Sequence, residues 1–465
     1  MISAMRQHDA KTQNGAITHS TTLNNVLDLY FVAGASKSMP EESIIKMFIA
    51  SLTEDTLLTI KLLFWSRDIR EGAGVRRFFN ICLKYLKEYN PELILKNIHL
   101  IPEYGRWSDL FDLITLNSND EMTVASLNLI KSGIEAKNGL LAKWLPRKGP
   151  LANFLRKKFE QSPKQYRKMI VELSNTVEQK MCSNEWESIT YSHVPSLAMN
   201  KYRKHFYKHD GERFKSFIEA VKNGEAKINA GAIYPHQLYQ AWYTDQSVDN
   251  SKAIEAQWYA LPNYLEGSEK RILPVCDVSG SMHGDMCIDI SVALGIYISE
   301  RNEGPFKDAF ITFSETPEMV YLKGTFTQRL SQLRSSKWGY STNLQKTFDV
   351  LLDKAIKNNV PQEMMPSTLL IISDMEFNSA DKEKTNLEII IEKYKKSGYE
   401  MPSIIFWNVR GVGRNNPANS TDRNIGLVSG YSPSTLEAIL HGDDFTPVSL
   451  MLKKLNSSRY EAIKI

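Results

Sequence analysis

Five short apolar runs, RILPVCD, DAFITF, STLLIISD, PSIIFWNV and NIGLVSG, fall beyond about residue 268 and constrain the fold more than any other feature of the sequence. Each is rich in β-branched or aromatic residues and bounded by turn residues, and helical stretches separate most of them. Runs apolar on both faces are what strands of a mostly parallel sheet look like when helices cover both sides. Residues 268–465 are therefore expected to form a doubly wound α/β domain. Its ligands should bind beyond the carboxyl ends of the strands.

Upstream the pattern differs. From about residue 21 to 267, apolar residues recur at three- and four-residue spacing, as in EESIIKMFIASL and VRRFFNICLKYLKEY, and short Gly, Pro and Asn punctuation separates the segments. Successive amphipathic helices joined by short turns suggest helix pairs stacked into a HEAT-like array, although no clean sequence period is found. A chain of 465 residues is too long for one comfortable core, which agrees with two domains. Residues 1–20, mixed in character, read as a flexible N-terminal segment. No apolar run reaches the roughly 18 residues needed to span a membrane, and no signal-peptide core is present, so a cytoplasmic location is expected. Cys82, Cys182, Cys276 and Cys287 have no CxxC spacing and read as buried, reduced thiols.

The first β-like run ends in CDVSGSM, which places Asp277, Ser279 and Ser281 where a ligand-binding loop belongs. Two hydroxyls and a carboxylate suit a hard cation, Mg²⁺ or Mn²⁺, better than zinc or copper. Thr342, in a Gly/Ser loop before a helix, and Asp374, at the end of LLIISD, supply further oxygens at other strand ends. The ordered pattern DxSxS, Thr, Asp resembles the metal-ion-dependent adhesion site (MIDAS) of von Willebrand factor A domains, which have a Rossmann-like fold. That resemblance implies Ser279, Ser281 and Thr342 as direct or near-direct ligands. It implies Asp277 and Asp374 acting partly through water, with one position open to a partner's acidic residue. Sequence patterns for phosphate loops, zinc proteases and serine hydrolases do not occur, and a hydroxyl-rich shell favours gripping an anion over activating water. An enzyme is not expected.

Charge is concentrated in one segment. Residues 140–215 carry sixteen Lys and Arg against seven Asp and Glu, within a chain whose net charge is +4. Lys143, Arg147, Lys148, Arg156, Lys157 and Lys158 surround Trp144 and Phe154, while Lys201, Arg203, Lys204, Lys208 and Arg213 lie among Tyr202, Phe206 and Tyr207. Cations among planar rings are what looped or single-stranded RNA requires, although such residues are often only a solvated face over a core. His205 and His209 are four apart on a helix with no third ligand evident. Arg67, Arg70, Arg76 and Arg77, around a Gly-containing turn, are candidates for a basic rim.

A helical-repeat domain followed by a von Willebrand A domain resembles the Ro autoantigen (TROVE) proteins, on IYPHQLYQAW and KRILPVCDVSGSM. These imply a ring-like, monomeric ribonucleoprotein binding small structured or single-stranded RNA. A nearly full-length match, over about residues 60–460, is to a family of unknown function with viral, bacterial and plant members. It rests on IPEYGRWSDL, AKWLPR, YSHVPSLAMNKYRKHF, GEAKINAGAIYPHQL, ISDMEF, IIFWNVRG and LVSGYSP. The expected function is non-enzymatic RNA binding with metal-dependent protein adhesion, in the host cytoplasm for viral members. The alternative is a protein scaffold or virus assembly factor that acts through the metal site without RNA.

Overall fold

The computed structural model describes residues 9–313, 317–334, 343–379, 384–411, 415–440 and 445–465. A small antiparallel hairpin, β1 (Ala10–Lys11) and β2 (Ile17–Thr18), precedes a long helical region. The central sheet has six strands: β3 (Ile272–Asp277), β4 (Ala309–Phe313), β5 (Glu318–Tyr321), β6 (Thr368–Ser373), β7 (Ser403–Asn408) and β8 (Ile425–Ser429). Their order is β5-β4-β3-β6-β7-β8, and all pairs are parallel except β4 with β5. The five apolar runs are the five parallel strands. β5 was not foreseen, because an edge strand of sequence EMVY, partly exposed throughout, carries no buried-strand pattern.

Local chemistry sets the crossovers. Thr385 accepts from the Glu388 amide while the Glu388 side chain accepts from the Thr385 amide, and Gly398 closes the helix Asn386–Ser397 in a left-handed conformation. The helix Cys287–Arg301 returns the chain from β3 to β4 and packs on β3, β4 and β6. Because β3 leads outward to β4 while β6 lies on its other side, the strand order reverses between β3 and β6. A crevice forms at such a reversal, at the carboxyl ends.

The helical region and the sheet share one continuous core. The helix Asn25–Ala33, capped by the Asn24 side chain, runs into the carboxyl end of β7 and β8, where Asn408 Nδ2 donates to the Phe31 carbonyl at 3.0 Å. Ser429 Oγ donates to the Tyr30 carbonyl at 2.6 Å and accepts from the Gly34 amide at 3.1 Å. A Cβ on Gly34 would lie 2.5 Å from the Ser429 carbonyl oxygen, so this approach requires glycine. The chain's end, after the helix Pro447–Leu455, returns to the helices. Arg459 pairs with buried Asp68 at 2.9 Å, and Asn97 bonds both the amide and the carbonyl of Lys464. A second, smaller core gathers Tyr191, Phe206, Phe214 and Ile218 with their neighbours.

Three expectations are corrected. Residues 9–20 are not a flexible leader: Thr12, Ala16, Ile17 and Thr18 are buried and the hairpin is bonded to the loop after β6, with Thr12 Oγ1 donating to the Phe377 carbonyl at 2.7 Å. Of the arginines of the Gly-containing turn, Arg67 is withdrawn from any rim, while Arg70, Arg76 and Arg77 are exposed. Arg67, buried, and Arg76 each reach Asp109 at 2.7 Å, and Arg70 and Arg77 donate to the Glu103 and Ser36 carbonyls. All four cysteines are free thiols, but Cys182 is exposed.

Candidate metal centre and basic helical face

Asp277 ends β3 fully buried, and its carboxylate is held from two sides. Ser279 N–H donates to Oδ1 at 2.9 Å, and Ser373 Oγ, at the end of β6, donates to Oδ2 at 2.6 Å. Ser279 Oγ and Ser281 Oγ lie 3.2 Å apart. Asp374 follows β6, its Oδ1 accepting from the Glu376 amide at 3.2 Å, with Met375 between them in the left-handed region. The structure thus brings Asp277, Ser279, Ser281 and Asp374 to the crevice between β3 and β6. Thr342 lies outside the described residues.

Burial, and then the neighbouring Asp374 carboxylate, raise the Asp277 carboxyl well above its usual range. Asp374 Oδ2 is buried and accepts no hydrogen bond. A buried carboxylate oxygen that accepts no hydrogen bond is costly, and a hard divalent cation is a group that would satisfy it here. Among the described residues no three His, Cys, Asp or Glu side chains gather into a cage. Any ion here would be held by two carboxylates, the serine hydroxyls and water, and the oxygen-only donor set fits Mg²⁺ or Mn²⁺.

Sequence reasoning missed two charged neighbours. The Arg410 guanidinium, beyond the end of β7, lies 3.7 Å from Asp374 Oδ2 and 3.8 Å from Asp285, and donates to the Ser281 carbonyl at 3.4 Å. Glu376 is buried and accepts from the Gln13 amide at 2.6 Å and from Asn415 Nδ2 at 2.7 Å, which fastens the N-terminal hairpin beside the site. Arg410 stands at a strand's carboxyl end, and the rule that located Asp374 would have located it as well.

The basic face divides. Arg203 is not a surface contact: it is buried, bonded to Asn200, Asn250 and the Ala241 carbonyl, and burial lowers its pKa to about 10. Lys143 pairs with Glu178 at 3.0 Å and Lys204 with Asp245 at 3.1 Å. Arg213 is turned inward, donating to the Ile189 and Trp186 carbonyls and pairing with Asp210. Arg147, Lys148, Lys157, Lys158, Lys201 and Lys208 are exposed and Arg156 half-buried, and among the described residues none of these seven has a carboxylate partner. A groove of about 490 Å³, lined in part by Asn138, Lys143, Thr176, Lys180 and His193, opens beside this face.

Residues 12–143 and 151–269, more than half the chain, match a domain of unknown function (DUF2828). The chain belongs to that family. Residues 271–461 match a second domain of unknown function (DUF7788), so the family's helical domain is joined here to a separately recognised sheet domain. Uncharacterized protein L728 of Acanthamoeba polyphaga mimivirus is similar over both, 27% identical across 96% of this chain and 86% of its own length. These relatives assign no activity to the family. Among the described residues no helix is long and apolar enough to cross a membrane.

Proposed function

We propose that this protein is a non-enzymatic RNA-binding protein resembling the Ro ribonucleoproteins. In this reading the helical region is a HEAT-like array bent toward an arc or ring. The sheet domain is of the von Willebrand A type, with an adhesion site for Mg²⁺ or Mn²⁺. One observation carries the RNA reading: seven of the ten cations first assigned to RNA reach the surface and lack a carboxylate partner among the described residues. Cations not neutralised within the fold are available to phosphates, and releasing the counterions they hold drives binding. Filter binding tests this. Lys157→Glu with Lys158→Glu should weaken binding of structured and single-stranded RNA alike, by about ten-fold or more. A wild-type protein that shows no preference for RNA over a neutral polymer sinks the reading.

A second reading, a protein scaffold acting through the metal site without RNA, is favoured by the buried Asp374 Oδ2, which accepts no hydrogen bond. It predicts partners that are retained after nuclease treatment and lost with chelator or Asp277→Ala. Assembly of viral particles would be one such scaffold role, given the viral relative.

A further inference from the structure

The second, smaller core carries a column of rings at its edge, begun by Trp186, which packs against it. The rings of Trp186 and His209 lie 4.5 Å apart with planes 6° from parallel, and His205 continues the stack at 6.4 Å and 11°. His205 and His209 are exposed and Trp186 is half-buried. Steps of three and four residues return to one side of a helix, so Lys201, Lys204, His205 and Lys208 share a side of the helix Ser196–His209, and all four are exposed. The helix buries Ala198, Met199, Arg203 and Phe206 and contains no Asp or Glu.

The stack is held in place before any ligand arrives. Trp186 Nε1 donates to Asn184 Oδ1 at 2.7 Å, and its carbonyl accepts from Arg213 at 2.6 Å, while the Arg213 guanidinium lies 4.6 Å over the Tyr191 ring. Rings already fixed lose little entropy on binding. Zinc is a poor explanation, since near-parallel imidazoles do not converge on one ion and no third ligand joins them among the described residues.

Stacked planar rings edged by lysines match the two needs of an unpaired nucleic-acid strand, a π-face for each base and charge for each phosphate. We propose that Trp186, His209 and His205, edged by Lys201 and Lys208, form a platform for the unpaired bases of single-stranded RNA. This rests on the RNA-binding reading above and gives it a site and a strand class. Exposed Glu185 and Glu187 flank Trp186 in the chain, and like charge disfavours a phosphate beside them.

The test is fluorescence anisotropy on the full chain, with a labelled oligoadenylate and a labelled RNA duplex of equal length. Trp186→Ala and, separately, His205→Ala should each weaken oligoadenylate binding roughly ten-fold and change duplex binding by less than about two-fold, with Trp186→Phe retaining most of the affinity. His205 is exposed, so its variant still reports if Trp186→Ala fails to fold. Equal losses for both RNAs, or no loss for either, overturn the platform while leaving RNA binding through the lysines intact. Failure of the wild type to bind either RNA overturns the RNA reading and the platform with it.

Discussion

The crevice at the sheet's carboxyl edge and the basic helical face are built on opposite principles. At the crevice the chain holds its polar atoms tightly: both Asp277 oxygens and Asp374 Oδ1 accept hydrogen bonds from the ends of β3 and β6, and Asp374 Oδ2 has only the Arg410 guanidinium 3.7 Å away. On the helical face most cations are held by nothing charged. A site of the first kind is selective through geometry and indifferent to salt; one of the second kind is permissive and salt-sensitive. If both are used, they should respond to different perturbations.

The largest separation comes from salt. With seven unpaired cations available, affinity for RNA is expected to fall by roughly a thousand-fold or more between about 50 and 200 mM salt, whereas the response to Mg²⁺ should change little. Parallel filter binding and thermal melts over one salt series would measure both, and a flat RNA curve would break the contrast. Next comes the ion itself. At a hundred times its dissociation constant Mg²⁺ should stabilise the fold by about 2.7 kcal/mol. Asp374→Ala should abolish that shift and leave RNA affinity unchanged. A Mg²⁺ shift that survives Asp374→Ala would place the ion elsewhere.

The two regions were not equally legible. The five parallel strands, and the convergence of Asp277, Ser279, Ser281 and Asp374 at one crevice, could be read because buried strands and their terminal oxygens are local patterns. Arg203 was misread because charge in a sequence carries no record of burial. Its helix turns it toward Asn250, whose partnership across 47 residues no spacing rule reveals. The column of Trp186 on His209 was missed for the same reason: it joins a short turn to the end of a helix. The interlocked core was hidden too, since the contact of Arg459 with Asp68 spans 391 residues.

A smaller effect should arise at the seam between the regions. His236 lies in the first turn of the helix Pro235–Thr244, which packs on the Cys287–Arg301 helix, and it is buried between the rings of Tyr234 and Tyr431 with Nδ1 unbonded. Burial, with a lesser contribution from Lys37, lowers its pKa from 6.5 to about 3. A depressed folded pKa means that the unfolded chain takes up the proton first. Stability is therefore full above about pH 6.5 and falls by about 1.4 kcal/mol for each unit below it. Urea denaturation at about pH 7.5 and 5.5 should show that loss, and His236→Phe should remove most of it. An unchanged slope in the variant would assign the loss to carboxylates instead.

The smallest effect carries the most diagnostic sign. Most substitutions of a fully buried, doubly bonded side chain destabilise. Asp277→Asn should do the reverse in metal-free protein, because its neighbour is a second carboxylate and burial already disfavours its charge. The amide oxygen can still accept from the Ser279 amide, and the amide nitrogen can donate to the Ser373 hydroxyl, so both bonds survive while the repulsion goes. The expected gain is on the order of 1 kcal/mol, coupled to loss of the Mg²⁺ shift. Gain without metal and loss with it would mark the crevice as built around a missing positive charge. Simple destabilisation under both conditions would instead mark Asp277 as a structural cap, with Arg410 supplying all the charge that Asp374 requires.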